Sequence, residues 1–95
     1  VKYAVFIRPR AEEDLRQARR WYEAQRAGLG GEFIEEVKRA IILLEEQPER
    51  RPPYYRGFRR LLTRRFPYKL FYRIEGDHVV LFRILHTKRD HARWL

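Results

Sequence analysis

The stretch FPYKLFYRIEGDHVVLFRILHTKRDHARW, residues Phe66 to Trp94, decides the fold. Two runs within it, Tyr68 to Ile74 and Val79 to His86, are rich in β-branched and aromatic residues. They flank Glu75-Gly76-Asp77-His78, a short segment with a turn-forming glycine, and so predict a β-hairpin. In the first run Tyr68, Leu70, Tyr72 and Ile74 share one face, and Lys69, Phe71 and Arg73 share the other. A three-residue loop puts Val80, Phe82 and Ile84 with the first set and Arg83 with the second. A two-residue loop flips the second strand and brings Arg83 over the core. The first register is expected because it leaves no unpaired charge buried. The hairpin then has one core face packed on helices and one basic, open face carrying Lys69, Arg73 and Arg83. That face leads into a basic run around His86, Lys88 and Arg89.

Upstream, Tyr3 to Arg8 alternates and reads as a strand. Pro9 starts a helix, with Glu12, Glu13 and Asp14 in its first turns complementing the helix dipole. Ala11, Leu15, Ala18 and Tyr22 line one helical face. Leu29-Gly30-Gly31 is expected to break this helix. A second helix is expected from about Glu32 to Gln47, with Phe33, Val37, Ala40, Ile41 and Leu44 as its buried stripe and Pro48 as its stop. The two form an αα-hairpin. Arg51 to Gly57 reads as an irregular connector, Phe58 to Thr63 as a strand and Arg64 to Pro67 as a turn. The order β-α-α-β-β-β predicts an α+β fold: an antiparallel sheet with an αα-hairpin packed on one face, residues 1–95 forming one domain.

Composition narrows the chemistry. The chain has 95 residues and a net charge of +9. Residues 1–47 hold 9 Lys+Arg and 9 Asp+Glu, whereas residues 48–95 hold 13 and 4, so the C-terminal half carries the whole excess. Such a surface suits an acidic or polyanionic partner. There is no Ser and no Cys, which excludes serine nucleophiles, disulfides and thiolate metal sites. The histidines at 78, 86 and 91 lack zinc-helix spacing, so neither a metal nor a cofactor is expected. No run of apolar residues is long enough for a membrane span, and VKYAVFIRPR reads as a strand followed by charge and not as a leader. A cytoplasmic protein is expected. Arg outnumbers Lys 18 to 4, a bias that heat adaptation and a GC-rich genome both produce.

The segments AEEDLRQARRWYEAQ, LGGEFIEEV, the Pro48 exit, FPYKLFYRI and LHTKRDHARW, in this order and spacing, resemble the RelE/ParE superfamily of bacterial toxin–antitoxin toxins. The resemblance covers nearly the whole chain. It implies a small antiparallel sheet with two helices on one face. It also implies a toxin neutralised by an acidic, partly disordered antitoxin. RelE-like members cleave mRNA in the ribosomal A site; ParE-like members poison DNA gyrase. The resemblance places the nuclease branch's two second-strand lysines at Arg60 and Leu62, and its third-strand arginine at Lys69. Its arginine after the last strand falls on Arg89, and its terminal tyrosine on Leu95. Leucine neither shuttles a proton nor stabilises a phosphate, and Arg60 is a poor general base. The departures favour the ParE-like branch.

The expectation is therefore a toxin that binds and inhibits an essential target such as gyrase, through Lys69, Arg73, Arg83, Lys88 and Arg89. One alternative is a ribosome-dependent mRNA endonuclease, with Arg60, Lys69 and Arg89 holding the phosphate and His86 as acid or base. Another is a non-toxic RNA-binding module in which Phe71 or Tyr54 stacks a base. Asp90 is expected to pair with Arg89 or Arg93. Trp94 is expected to cap the core and Trp21 to cover the helix hairpin. Ile42 and Leu43 are either an antitoxin groove or the edge of a wide core face.

Overall fold

Pro9 fixes where the first helix begins, since proline at the first helical position gives up an N–H that has no intrahelical partner there. The computed structural model describes residues 2–95. It runs β1 (Ala4–Ile7), α1 (Pro9–Gln25), α2 (Leu29–Glu46), β2 (Arg59–Leu62), β3 (Tyr68–Glu75) and β4 (His78–His86), with short 3-10 turns at Pro48–Arg50 and His91–Arg93.

The reversal between the helices falls at Arg26 to Gly28, earlier than the sequence suggested. Gly28 adopts φ 90, which only glycine takes without strain. The Glu23 carboxylate then accepts from the N–H groups of Gly28 and Gly30 at 2.9 and 3.0 Å. Those bonds satisfy N–H groups at the start of α2, so Leu29 to Gly31 become its first turn. A Cβ at Gly30 would lie 2.7 Å from the Arg19 carbonyl oxygen, so glycine is what allows the helices to approach this closely.

The sheet order is β1-β4-β3-β2. β2–β3 and β3–β4 are antiparallel, but β1 lies parallel to β4, with Ala4 opposite His78 and Ile7 opposite Leu81. The sheet is mixed, which corrects the expected antiparallel one. The αα-hairpin between β1 and the meander lets β1 lie alongside β4 in the same direction, as a parallel pair requires.

The hairpin resolves the register question in an unexpected way. Glu75 opposes His78, so the loop is the two-residue Gly76-Asp77 turn, with Gly76 at φ 63. Tyr72 opposes Leu81 while Phe71 opposes Arg83, so Phe82 is an extra, bulged residue. The bulge reverses the alternation partway along β4. Val79 and Leu81 before it, and Ile84 after it, all join the helix-side core. Val80 and Phe82, expected there, do not. Arg83 stays on the opposite face, as expected, although the loop is the short one.

On the helix side, Phe33, Val37, Ala40 and Leu44 of α2 pack with Leu61, Tyr68, Leu70 and Tyr72 of the sheet. Leu15 and Tyr22 of α1 lie against this cluster. The buried Tyr72 hydroxyl donates to the Pro48 carbonyl at 2.7 Å and anchors the exit from α2. The second face has its own small core of Phe58, Phe71 and Leu85, with Phe82 and Leu95 against it.

Candidate functional site

The second sheet face is not open. The chain after β4 folds back over it, and Lys69 and Arg83 are each only 6% exposed. The lysine Nζ donates to the Arg89 carbonyl at 3.0 Å. Burial, with Arg60 nearby, pushes the Lys69 ammonium below its ordinary pKa. Arg83 makes a two-pronged contact with Asp14, Nε to Oδ2 at 2.7 Å and Nη2 to Oδ1 at 2.8 Å. Its Nη1 donates to the Trp94 carbonyl at 2.9 Å. Donating to the Asp14 carboxylate raises the Arg83 pKa, and the negative charge of Asp14 adds to this.

Asp14 was expected to serve the dipole of α1. Instead it also accepts the Ile84 N–H at 3.0 Å. Beyond Leu81, β4 has no pairing with β1, so this N–H would otherwise face α1 without a partner strand. Asp14 is a site residue that the sequence reading missed. Its partner lies 69 positions away, and no local signal marks the pair.

Arg73 lies further along the same face. Its guanidinium lies 4.1 Å from the Phe58 ring centroid and 5.6 Å from that of Phe82, and Nη2 donates to the Arg56 carbonyl at 3.0 Å. Its Nε is the one buried side-chain polar atom left without a partner among the described residues. The expected basic, open face thus consists of cations turned to internal partners. Phe71, offered as a base-stacking platform, is 0% exposed beneath the tail. His91 covers it, with ring centroids 5.4 Å apart and further contacts to Tyr54 and Tyr55 at 5.2 and 4.8 Å.

At the end of β4 the surface opens. A cleft of about 520 Å³ lies between α1 and the strand end, walled by Trp21, Tyr22, Tyr68, His86, Lys88 and Arg89 among others. The His86 Nδ1 accepts the Lys88 N–H at 3.1 Å, so the neutral ring carries its proton on Nε2. Burial first, then Lys88, Arg89 and Lys69, hold the His86 pKa below its usual value. Both effects favour the neutral imidazole. Lys88 and Arg89 are exposed, and the Arg89 guanidinium lies 4.9 Å from the Trp94 ring. Asp90 does not form the expected ion pair; its Oδ1 accepts the Ala92 N–H at 3.0 Å and caps the final turn.

Arg60 projects beside the connector, with its guanidinium 3.7 Å from the Tyr54 ring centroid. Leu62 on the same strand is 51% exposed. Leu95 packs into the second-face core. Trp94 lies over Arg83 at 5.5 Å and stays partly exposed, rimming that core more than closing it. Trp21 projects into solvent, with its edge on Tyr22, and does not cover the helix hairpin. Ile42 and Leu43 are exposed too. Among the described residues no group of three or more His, Cys, Asp or Glu is placed to hold a metal ion. No described helix is long and apolar enough to cross a membrane.

Known structures share this architecture. The chromosomal ParDE toxin–antitoxin system of P. aeruginosa superposes with a TM-score of 0.82 at 18% identity, covering 92% of this chain and 98% of that one. The intact E. coli RelBE complex gives 0.67 at 18%, covering 92% and 99%. The RelBE2 complex of Mycobacterium tuberculosis gives 0.62 at 27%, covering 90% and 99%. No curated protein sequence matches the chain. The model of the ParE toxin of the type II toxin–antitoxin system parDE matches residues 5–91. That span takes in β1 from Val5 onward, the helical hairpin and the bulged meander, and the chain belongs to the ParE toxin family.

Proposed function

We propose that this ParE-family toxin acts by binding and inhibiting an essential protein target of the DNA gyrase kind, and not by cutting mRNA. The observation that carries this reading is the occupied sheet face. Lys69 stands where the nuclease branch uses a third-strand arginine, yet its ammonium donates to the Arg89 carbonyl and is nearly closed off from solvent. A buried lysine already holding a carbonyl has little to offer a developing phosphate charge. Leu62 and Leu95 supply neither charge nor proton at the other two positions. Of the cations expected on the binding surface, Lys88 and Arg89 remain exposed to meet a target, with Arg89 beside Trp94. Arg83, expected on the binding surface, is assigned to holding the tail.

The partner that restrains such a toxin is an acidic, partly disordered antitoxin, and the site of action is the cytoplasm. The C-terminal charge excess favours such a segment, which would fold on binding and offset repulsion among the arginines.

The second reading, a ribosome-dependent endonuclease, draws on one observation. A neutral His86 at the mouth of a cleft with Lys88 and Arg89 has the protonation state of a general base. A supercoiling assay with purified gyrase, run beside primer extension on ribosome-bound mRNA, separates the two. Inhibited supercoiling without A-site cuts is expected, with Arg89→Ala weakening inhibition. Codon-specific cuts that vanish in His86→Ala, with supercoiling untouched, would establish the enzyme instead.

A further inference from the structure

Residues 50–65 contain seven arginines and no acidic residue. Three of them, Arg51, Arg60 and Arg64, line a groove of about 610 Å³ along β2, the edge strand of the sheet. No carboxylate among the described residues lines this groove. Among the described residues none of the three forms an ion pair, whereas their neighbour Arg65 holds Glu32 at 2.5 Å.

Local chemistry keeps the groove open. Pro52 and Pro53 have no N–H, so the connector cannot zip onto β2 as a further strand. Arg59 instead ties it down, its Nη1 donating to the Arg51 carbonyl. The far wall is the Arg60–Tyr54 stack, guanidinium 3.7 Å from the ring centroid, with Tyr54 44% exposed.

We propose that this groove binds a single-stranded nucleic-acid segment, the arginines holding its phosphates and the Arg60–Tyr54 stack receiving a base. Unpaired guanidinium forks match phosphate oxygens in pairs. A planar guanidinium backed by an aromatic ring presents a face on which any base stacks. An acidic peptide would satisfy the charge but leave that planar surface unused. The groove shares no lining residue with the His86 cleft.

Fluorescence anisotropy of the full 95-residue chain with short labelled oligo(dT) and oligo(U) tests this, with labelled oligoglutamate of similar charge as the third probe. Three neutralised phosphates give a log–log salt slope of about −2. The combined Arg51→Ala, Arg60→Ala and Arg64→Ala variant should lose at least roughly tenfold in oligonucleotide affinity and most of that slope. An equal loss of charge on the helices, Arg19→Ala with Arg20→Ala and Arg39→Ala, should cost less than about threefold. Tyr54→Leu, which keeps every charge, should weaken binding while leaving the slope unchanged. Tighter oligo(dT) or oligo(U) binding tells a DNA from an RNA partner on the same chemistry. Equal losses from the groove and helix variants, tighter binding of oligoglutamate, or no oligonucleotide binding at low salt would each overturn the proposal. Matching circular dichroism spectra confirm that the variants remain folded. The supercoiling assay reads the toxin proposal independently of all three outcomes.

Discussion

The two faces of this sheet are both buried, but by different physics. On the helix side Phe33, Val37 and Leu44 meet Leu70, Tyr72 and Leu81 with almost no polar content. That face is held by removal of apolar surface from water, which needs no particular partner atoms. On the other side Lys69, Arg73 and Arg83 lie among Phe58, Phe71 and Leu85, under a tail that supplies carbonyls. That face is held by directional bonds to charged groups, and each must find its partner or cost free energy. Alternation in β3 therefore identifies two faces without telling which is exposed. A basic face is also a place where the rest of the chain can dock.

The largest effect is expected from a hole opened on the apolar side. Phe33 is fully buried, with Tyr22, Phe66 and Tyr68 around it at 4.8–6.2 Å among their ring centroids. Phe33→Ala should cost about 3–5 kcal/mol in urea unfolding, by lost transfer energy and a cavity. A smaller loss would show that the helix hairpin collapses onto the gap.

The next largest effect belongs to the polar side. Asp14→Ala strands the Arg83 guanidinium and the Ile84 N–H together and should cost about 3 kcal/mol. Pairing it with Arg83→Met should recover a large part, because the stranded charge is then gone. The same Phe33→Ala background should show no such recovery. If the double variant is no more stable than Asp14→Ala, the pair does not act as a unit, and the contrast between the faces weakens.

The smallest expected effect is a pH dependence at the cleft. The folded protein holds the His86 pKa below its ordinary value, so the unfolded chain takes up the proton first. Stability should then fall as pH drops through about 6.5, the ordinary histidine value, toward the lower folded one. His86→Gln should flatten that part of the curve in a pH series of thermal unfolding. An unchanged slope in the variant would mean that burial and the charges of Lys88, Arg89 and Lys69 do not disfavour its protonation.

Much of this was legible in the sequence because it is written locally. Pro9 and Pro48 mark helix ends by what proline lacks. The stripe Phe33, Val37, Ala40, Leu44 repeats at helical spacing, and the runs around Gly76 alternate as strands do. The charge excess of the C-terminal half, and the order of segments that resembles the RelE/ParE superfamily, are also properties of the bare chain. Of the site, the sequence showed which cations exist near His86, and Lys88 and Arg89 are exposed beside it. It did not show that Lys69 and Arg83 would be covered.

What only the tertiary structure decided are matters of pairing over long separations. The direction of β1 beside β4 depends on where the helix hairpin returns the chain, and no residue in β1 records it. The bulge at Phe82 shifts alternation by one position, so a strictly alternating reading places Val80 and Phe82 on the wrong face while leaving Arg83 on the right one. Asp14 meets Arg83 because α1 runs past the free edge of β4, and its own helix would have accepted any acid there. Local periodicity specifies elements and their faces. Which charged side chain is buried, and by whom, is fixed when the tail and α1 supply the partners that make such burial affordable.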